Sequence, residues 1–152
     1  MTPCFPIISI YSNSDVKILE SEYPLKLMSL HEYLKQKVSR TVYYDKAGLR
    51  WTLSIHSEKY KSTFITKLLA RTVYSPIILV KRTWTLDGPY SLIELIKKIN
   101  HRIELDRDII TQYIGVDELK AKVTRCTTFE NIIKVLNNDI FIPGPQLMRK
   151  VV

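Results

Sequence analysis

The chain has 152 residues, 45% of them hydrophobic and 25% charged, which is the balance of a globular protein and not of a disordered one. Twenty-three Lys and Arg against 15 Asp and Glu leave a net charge of +8, which attracts polyanions, anionic lipid or acidic protein without choosing among them. Apolar runs reach only about five residues, against roughly 18 for a membrane span.

The N-terminal MTPCFPIISIY has neither the basic nor the long apolar region of a secretory signal, and Cys4 and Cys126 stand without CxxC spacing. Both features point to a cytoplasmic protein with reduced thiols and no membrane partner. No internal repeat or linker divides the sequence, so a single domain over residues 1–152 is expected, with a loosely held tail from about residue 143.

Residues 6–11 are apolar and β-branched and end at the turn-prone Ser12-Asn13-Ser14-Asp15, which predicts a strand. Residues 16–27 are ambiguous, with Pro24 arguing against a continuous helix. Ser29 and Glu32 form a capping box that opens a helix to about residue 39, with Leu30, Tyr33, Leu34 and Val38 as its buried stripe. Residues 41–44 and 49–56 read as a hairpin across the turn Asp45-Lys46-Ala47-Gly48. In its second strand Trp51, Leu53 and Ile55 alternate with polar residues and mark the buried face.

Residues 57–70 fit two structures. Tyr60, Phe64 and Leu68 are four apart, as on a helix capped by Ser57, and equally share one face of a strand. The helix is the preferred reading. Ile77-Ile78-Leu79-Val80 is a continuous apolar run, as in a strand covered on both faces.

The best-punctuated stretch follows. Asp87-Gly88-Pro89 predicts a turn, and Ser91 with Glu94 a capping box. Leu92, Leu95, Ile96, Ile99 and Ile103 make one apolar helical stripe, which calls for a sheet to bury it. Beyond it, Asp106 or Asp108 can cap a short helix that Gly115 stops, and Asp117 can cap another. Thr127 and Glu130 form a third box, opening a helix with Phe129, Ile132, Ile133 and Leu136 on one side. The layout is α+β: a small central antiparallel or mixed sheet packed by helices.

Catalytic and metal-binding patterns are missing. No phosphate-binding glycine loop or nucleophile elbow occurs, and His31, His56 and His101 stand alone. Glu104, Asp106 and Asp108 begin like a calcium loop, but its glycine and final glutamate do not follow. Neither catalytic residues, metal nor cofactor are expected. Cys126, just before a helix start, reads as a small buried residue, with a thiol acidified by the helix as the alternative.

The basic residues are the more informative. Between residues 56 and 102, nine cations face only Glu58, Asp87 and Glu94, with Tyr60, Tyr74 and Trp84 among them. The plain reading is that Tyr60 and Trp84 are core and the lysines keep the chain soluble; as a binding surface, the stretch suits a nucleic acid through Lys59, Lys61, Lys67, Arg71, Lys81 and Arg82, or an acidic protein. The candidate partner-binding residues are Lys67, Arg71, Tyr74, Lys81, Arg82, Lys98 and Arg102.

The runs TWTLDGPYSLIELIKKI, ELDRDIITQYIGVDELKAKV and CTTFENIIKVL, within residues 83–136, resemble the small immunity proteins of bacterial contact-dependent inhibition systems. The likeness lies in layout and texture rather than in a diagnostic motif. It implies a cytoplasmic, non-enzymatic protein that binds and blocks one cognate toxin domain, often a nuclease. Nuclease inhibitors are commonly acidic and this chain is basic, so the resemblance implies a toxin with an acidic face or an allosteric blockade. A small basic nucleic-acid-binding protein is the alternative.

Overall fold

The computed structural model of the chain describes residues 1–11, 16–35, 40–59, 63–72, 75–105 and 114–140. The fold is α+β. The chain divides into two compact units, Met1–Leu95 and Ile96–Val152.

The first unit is built on a five-stranded antiparallel sheet. Its strands are β1 (Ile7–Tyr11), β2 (Val16–Leu19), β4 (Thr41–Asp45), β5 (Leu49–His56) and β7 (Lys81–Pro89), in the order β2-β1-β4-β5-β7. A second, two-stranded sheet pairs β3 (Leu27–Ser29) antiparallel with β6 (Ile77–Leu79). A 3-10 turn at Tyr23–Leu25, helix α1 (Leu30–Lys35) and helix α2 (Phe64–Ala70) complete the unit.

Alternation decides what is buried. Trp51, Leu53 and Ile55 of β5 join Ile7 and Tyr43 on one face of the large sheet, all at most 7% exposed. Leu25, Met28, Leu30, Ala70, Ile78 and Val80 belong to the same core and come from the smaller elements. Most of those elements therefore spend their inward side chains on this core.

Two local devices hold the frame. The Asp45 carboxylate, 1% exposed, accepts from the Ala47 and Leu49 amides at 3.0 and 2.9 Å, the Cys4 amide at 3.2 Å and Trp51 Nε1 at 2.9 Å. It closes the β4–β5 turn, where Gly48 takes φ +83°, and fixes the largest core side chain. The Ser29–Glu32 capping box forms as expected: the Glu32 amide donates to Ser29 Oγ at 3.2 Å and the Ser29 amide to Glu32 Oε2 at 3.1 Å.

Asp87-Gly88-Pro89 does not turn the chain. It continues β7 as a bulge: Leu86 faces Trp51 and Gly88 faces Arg50, leaving Asp87 as the extra residue. Gly88 sits at φ +132°, a conformation that only glycine adopts without strain. The bulge aims Asp87 at Arg50, whose Nε donates to it at 2.7 Å, while the other end of the guanidinium reaches Glu94 at 2.9 Å. The Glu94 amide is capped by Ser91 Oγ at 3.1 Å, but its carboxylate goes to Arg50 and not back to Ser91.

Helix α3 (Leu92–Leu105) begins in the first unit and runs into the second, with Leu95, Ile96, Ile99 and Ile103 buried. The second unit adds α4 (Val116–Thr124) and α5 (Phe129–Asp139). Leu119, Val123, Phe129, Ile132 and Leu136 are its buried helical positions. Asn100 bonded to Thr124 and Glu104 paired with Lys120 tie α3 to α4, and Lys122 paired with Asp139 ties α4 to α5.

Two caps lie elsewhere than the spacing suggests. Gly115 is the N-cap of α4 with extended backbone, not a left-handed stop, so Asp117 falls inside the first turn. Thr128, not Thr127, caps α5, accepting from the Asn131 amide at 3.2 Å. The helix expected before Gly115, the Val38 end of α1 and the tail beyond residue 140 lie outside the described residues.

Candidate partner-binding surface

Residues 57–70 resolve in favour of helix, but a shorter one with a different cap. Strand β5 runs on to His56, and α2 starts only at Phe64. Its N-cap is Thr63, whose hydroxyl accepts from the Thr66 amide at 3.3 Å while Thr66 Oγ1 accepts from the Thr63 amide at 2.9 Å. Thr66 thus plays the part usually taken by Glu in a capping box.

The apolar stripe of this helix points outward. Phe64 is 82% exposed, Ile65 75%, Leu68 59% and Leu69 41%, and only Ala70 of this helix is buried. At 100° per residue the four large apolar positions span an arc of about 140°, bordered on one side by Lys67 and Arg71.

The Ile77–Val80 run behaves the same way. It is covered on one face, not both: Ile78 and Val80 are buried, whereas Ile77 and Leu79 are 73% and 72% exposed. Leu27, paired with Leu79 across the small sheet, is also exposed. The elements that cap the core therefore carry a second apolar face on their outer side. Each such side chain left in water forgoes roughly 1.5–3 kcal/mol of burial. Seven such side chains lie on α2, β3 and β6: Leu27, Phe64, Ile65, Leu68, Leu69, Ile77 and Leu79.

Charge is equally lopsided there. From Lys59 to Leu86 the sequence holds six cations, Lys59, Lys61, Lys67, Arg71, Lys81 and Arg82, and not one Asp or Glu. The structure separates these cations. Lys67 and Arg71 are exposed and one turn apart on α2. Lys81 and Arg82 point to opposite faces of β7 and are both committed. Lys81 pairs with Glu58, and Arg82, only 14% exposed, holds Glu22 at 2.8 Å. Trp84 is half-buried, edge-on to Tyr43 at 5.0 Å, with its Nε1 on the Glu22 carboxylate at 3.0 Å. Arg82 and Trp84 are thus part of the frame.

Lys98 is exposed and Arg102 half-buried, one turn apart on α3 in the second unit. Tyr74, Lys61 and Tyr60 lie outside the described residues. Lys67 and Arg71 are legible from charge alone; the exposed apolar residues between and beside them are legible only as a helical spacing, which does not say whether the stripe is covered.

A cavity of about 260 Å³ opens beside this layer, lined by Ser9, Tyr11, Lys17, Leu25, Met28, Glu32, Thr41 and Tyr43 among others. Its carboxylate, Glu32, is spent on the α1 cap, and the Ser9 hydroxyl donates to the Lys17 carbonyl at 3.2 Å. Among the described residues no three His, Cys, Asp or Glu side chains are placed to share a metal, and no helix is long and apolar enough to cross a membrane. Cys126 is buried, and burial pushes its thiol pKa up, opposite to activation.

Comparison with protein-family models, with characterised proteins and with solved structures finds no match.

Proposed function

We propose that this chain is a non-enzymatic binding protein, a cytoplasmic immunity protein that neutralises a cognate toxin domain by direct contact. The observation that carries the reading is the set of outward apolar side chains on α2 and on the β3–β6 sheet, of which α2 and β6 lie in a stretch of sequence free of carboxylates. A face of this kind is a protein-docking surface by its chemistry: apolar contact supplies affinity, and flanking charge supplies orientation and rate. Exposed ion pairs contribute only about 0–1 kcal/mol each. Phe64, Ile65 and Leu68 therefore outweigh Lys67 and Arg71 in holding the partner, whereas the cations bring it in.

Nucleic acid is the weaker reading, because binding it without sequence preference relies on stacked aromatics along a basic groove. Trp84 is engaged edge-on with Tyr43, and Arg82 is paired with Glu22.

The test has two stages. The tagged chain is used to recover its partner from source cells after nuclease treatment and a moderate-salt wash. The recovered protein is then expressed in a sensitive host with and without this chain. Growth arrest relieved only when the chain is present is the expected result. A partner that is harmless alone, or a bound fraction consisting of nucleic acid and lost at higher salt, contradicts the reading.

A further inference from the structure

We propose that the cavity on the inner face of the large sheet, at its β2-β1-β4 end, binds a free α-amino acid with an apolar side chain, of the size of leucine or phenylalanine. The inference is separate from the toxin-binding reading, and none of the seven outward apolar side chains of α2, β3 and β6 lines this cavity.

The cavity follows from one small residue in a row of large ones. Alternation along β1 turns Ile7, Ser9 and Tyr11 to the inner face of the sheet. Ile7 fills its place and is fully buried. Ser9 is 6% exposed and too small to do the same. Its cross-strand neighbours are Lys17 and Tyr43, and all three line the cavity. Leu25 and Met28, core residues of the smaller elements, form an apolar wall. The volume of about 260 Å³ lies between the ~150 Å³ that holds a benzene and the ~300 Å³ at which pockets for larger organic ligands begin. It suits one ring or one branched aliphatic chain with a compact head group.

The wall selects that head group. Its two charged residues have opposite sign, Lys17 on β2 and Glu32 on α1. Among the described residues the Glu32 carboxylate is bonded only to Ser29, through Oε2, which leaves Oε1 to accept from a ligand. A ligand with a single charge meets one like charge there, whereas a zwitterion meets two unlike ones. The hydroxyls of Tyr11 and Thr41 stand on the same wall and can donate to a carboxylate or accept from an ammonium. The end of a peptide carries one of the two charges and a phosphate ligand only the negative one.

The test titrates the full-length chain with three ligands that share a phenyl group and are followed by amide chemical shifts. They are L-phenylalanine, 2-phenylethylamine, which lacks the carboxylate, and 3-phenylpropanoate, which lacks the ammonium. Phenylalanine should bind with a Kd on the order of 1 mM and each analogue about fivefold more weakly. The shifts should centre on Ser9, Lys17, Leu19 and Met28. Lys17→Gln should erase the preference over the amine and keep that over the acid. Glu32→Gln, which retains an acceptor for the α1 cap, should do the reverse. Ser9→Leu should fill the hollow and abolish binding while keeping the circular dichroism of the parent. Lys17 and Glu32 are exposed, so the two Gln variants decide the matter should Ser9→Leu not fold.

No shift at about 10 mM phenylalanine overturns the proposal. Equal affinity for the three ligands, tighter binding of the amine or the acid alone, or binding retained by a folded Ser9→Leu chain overturns it as well.

Discussion

Asp45 organises the first unit through a single carboxylate. Its two oxygens serve four donors, one of them the indole of a tryptophan that is 2% exposed. Asp45→Asn keeps the shape but turns an amino group toward donors, leaving Trp51 Nε1 and at least one amide unpaired. A buried donor without a partner costs about 1–3 kcal/mol, so roughly 3 kcal/mol of stability should be lost in urea unfolding. A loss under 1 kcal/mol contradicts this role.

Tyr44 is the opposite case, a fully buried side chain whose hydroxyl finds no partner among the described residues. Burial, with Glu94 nearby, pushes its pKa up to about 12. A folded value above the ordinary 10 means the group stabilises fully below pH 10 and loses that contribution as pH rises from there. Tyr44→Phe should match or exceed the parent by up to about 1 kcal/mol at pH 7, and the gap should widen above pH 10. Melting curves at pH 7 and 10.5 check both points.

Glu22 titrates the other way. The Trp84 indole hydrogen bond first, then Arg82, hold its carboxyl below the ordinary 4.5 despite opposing desolvation. Its contribution is intact above that value and is lost as pH falls through the depressed folded pKa. Glu22→Gln should therefore melt below the parent at pH 7, with the difference closing toward pH 3. A difference that is constant with pH excludes this linkage.

At the scale of the element, periodicity placed most strands and helices, because hydrophobic alternation and helical spacing act locally. The β5 strand, the Ser29–Glu32 box and the stripe of α3 were all legible. Cap positions were less so. Thr127 and Thr128 are adjacent and chemically alike, and only backbone geometry assigns the cap to Thr128. Thr128→Ala should cost about 1 kcal/mol, and Thr127→Ala a few tenths. Equal losses in parallel denaturation curves contradict the assignment. The bulge at Asp87 was hidden for a similar reason. Asp-Gly-Pro is turn chemistry, and its place inside β7 follows from the long-range grip of Arg50 on Asp87 and Glu94, which local sequence does not encode.

At the scale of the whole molecule, one expectation of burial fails: the Ile77–Val80 run reads as covered on both faces, but Ile77 and Leu79 face solvent, because an apolar run does not say what covers it. The apolar positions of α2 are exposed as well. Each element gives its inward residue, Ala70 or Ile78, to the common core and turns its remaining large side chains to solvent. Natural sequences depart from local consistency mainly where function demands it, which is why these exposed apolar residues are the ones proposed for docking. The net charge of +8 was legible at once, but its placement was not, since Arg82 and Lys81 are neutralised by glutamates distant in sequence.

The most direct test of the account is a nuclease-treated pull-down from source cells with the parent chain and Leu68→Glu side by side, washed at two salt concentrations. One encoded protein retained by the parent through both washes, and absent with Leu68→Glu, is the predicted result. The same protein recovered with both chains, or only nucleic acid that elutes with salt, contradicts it.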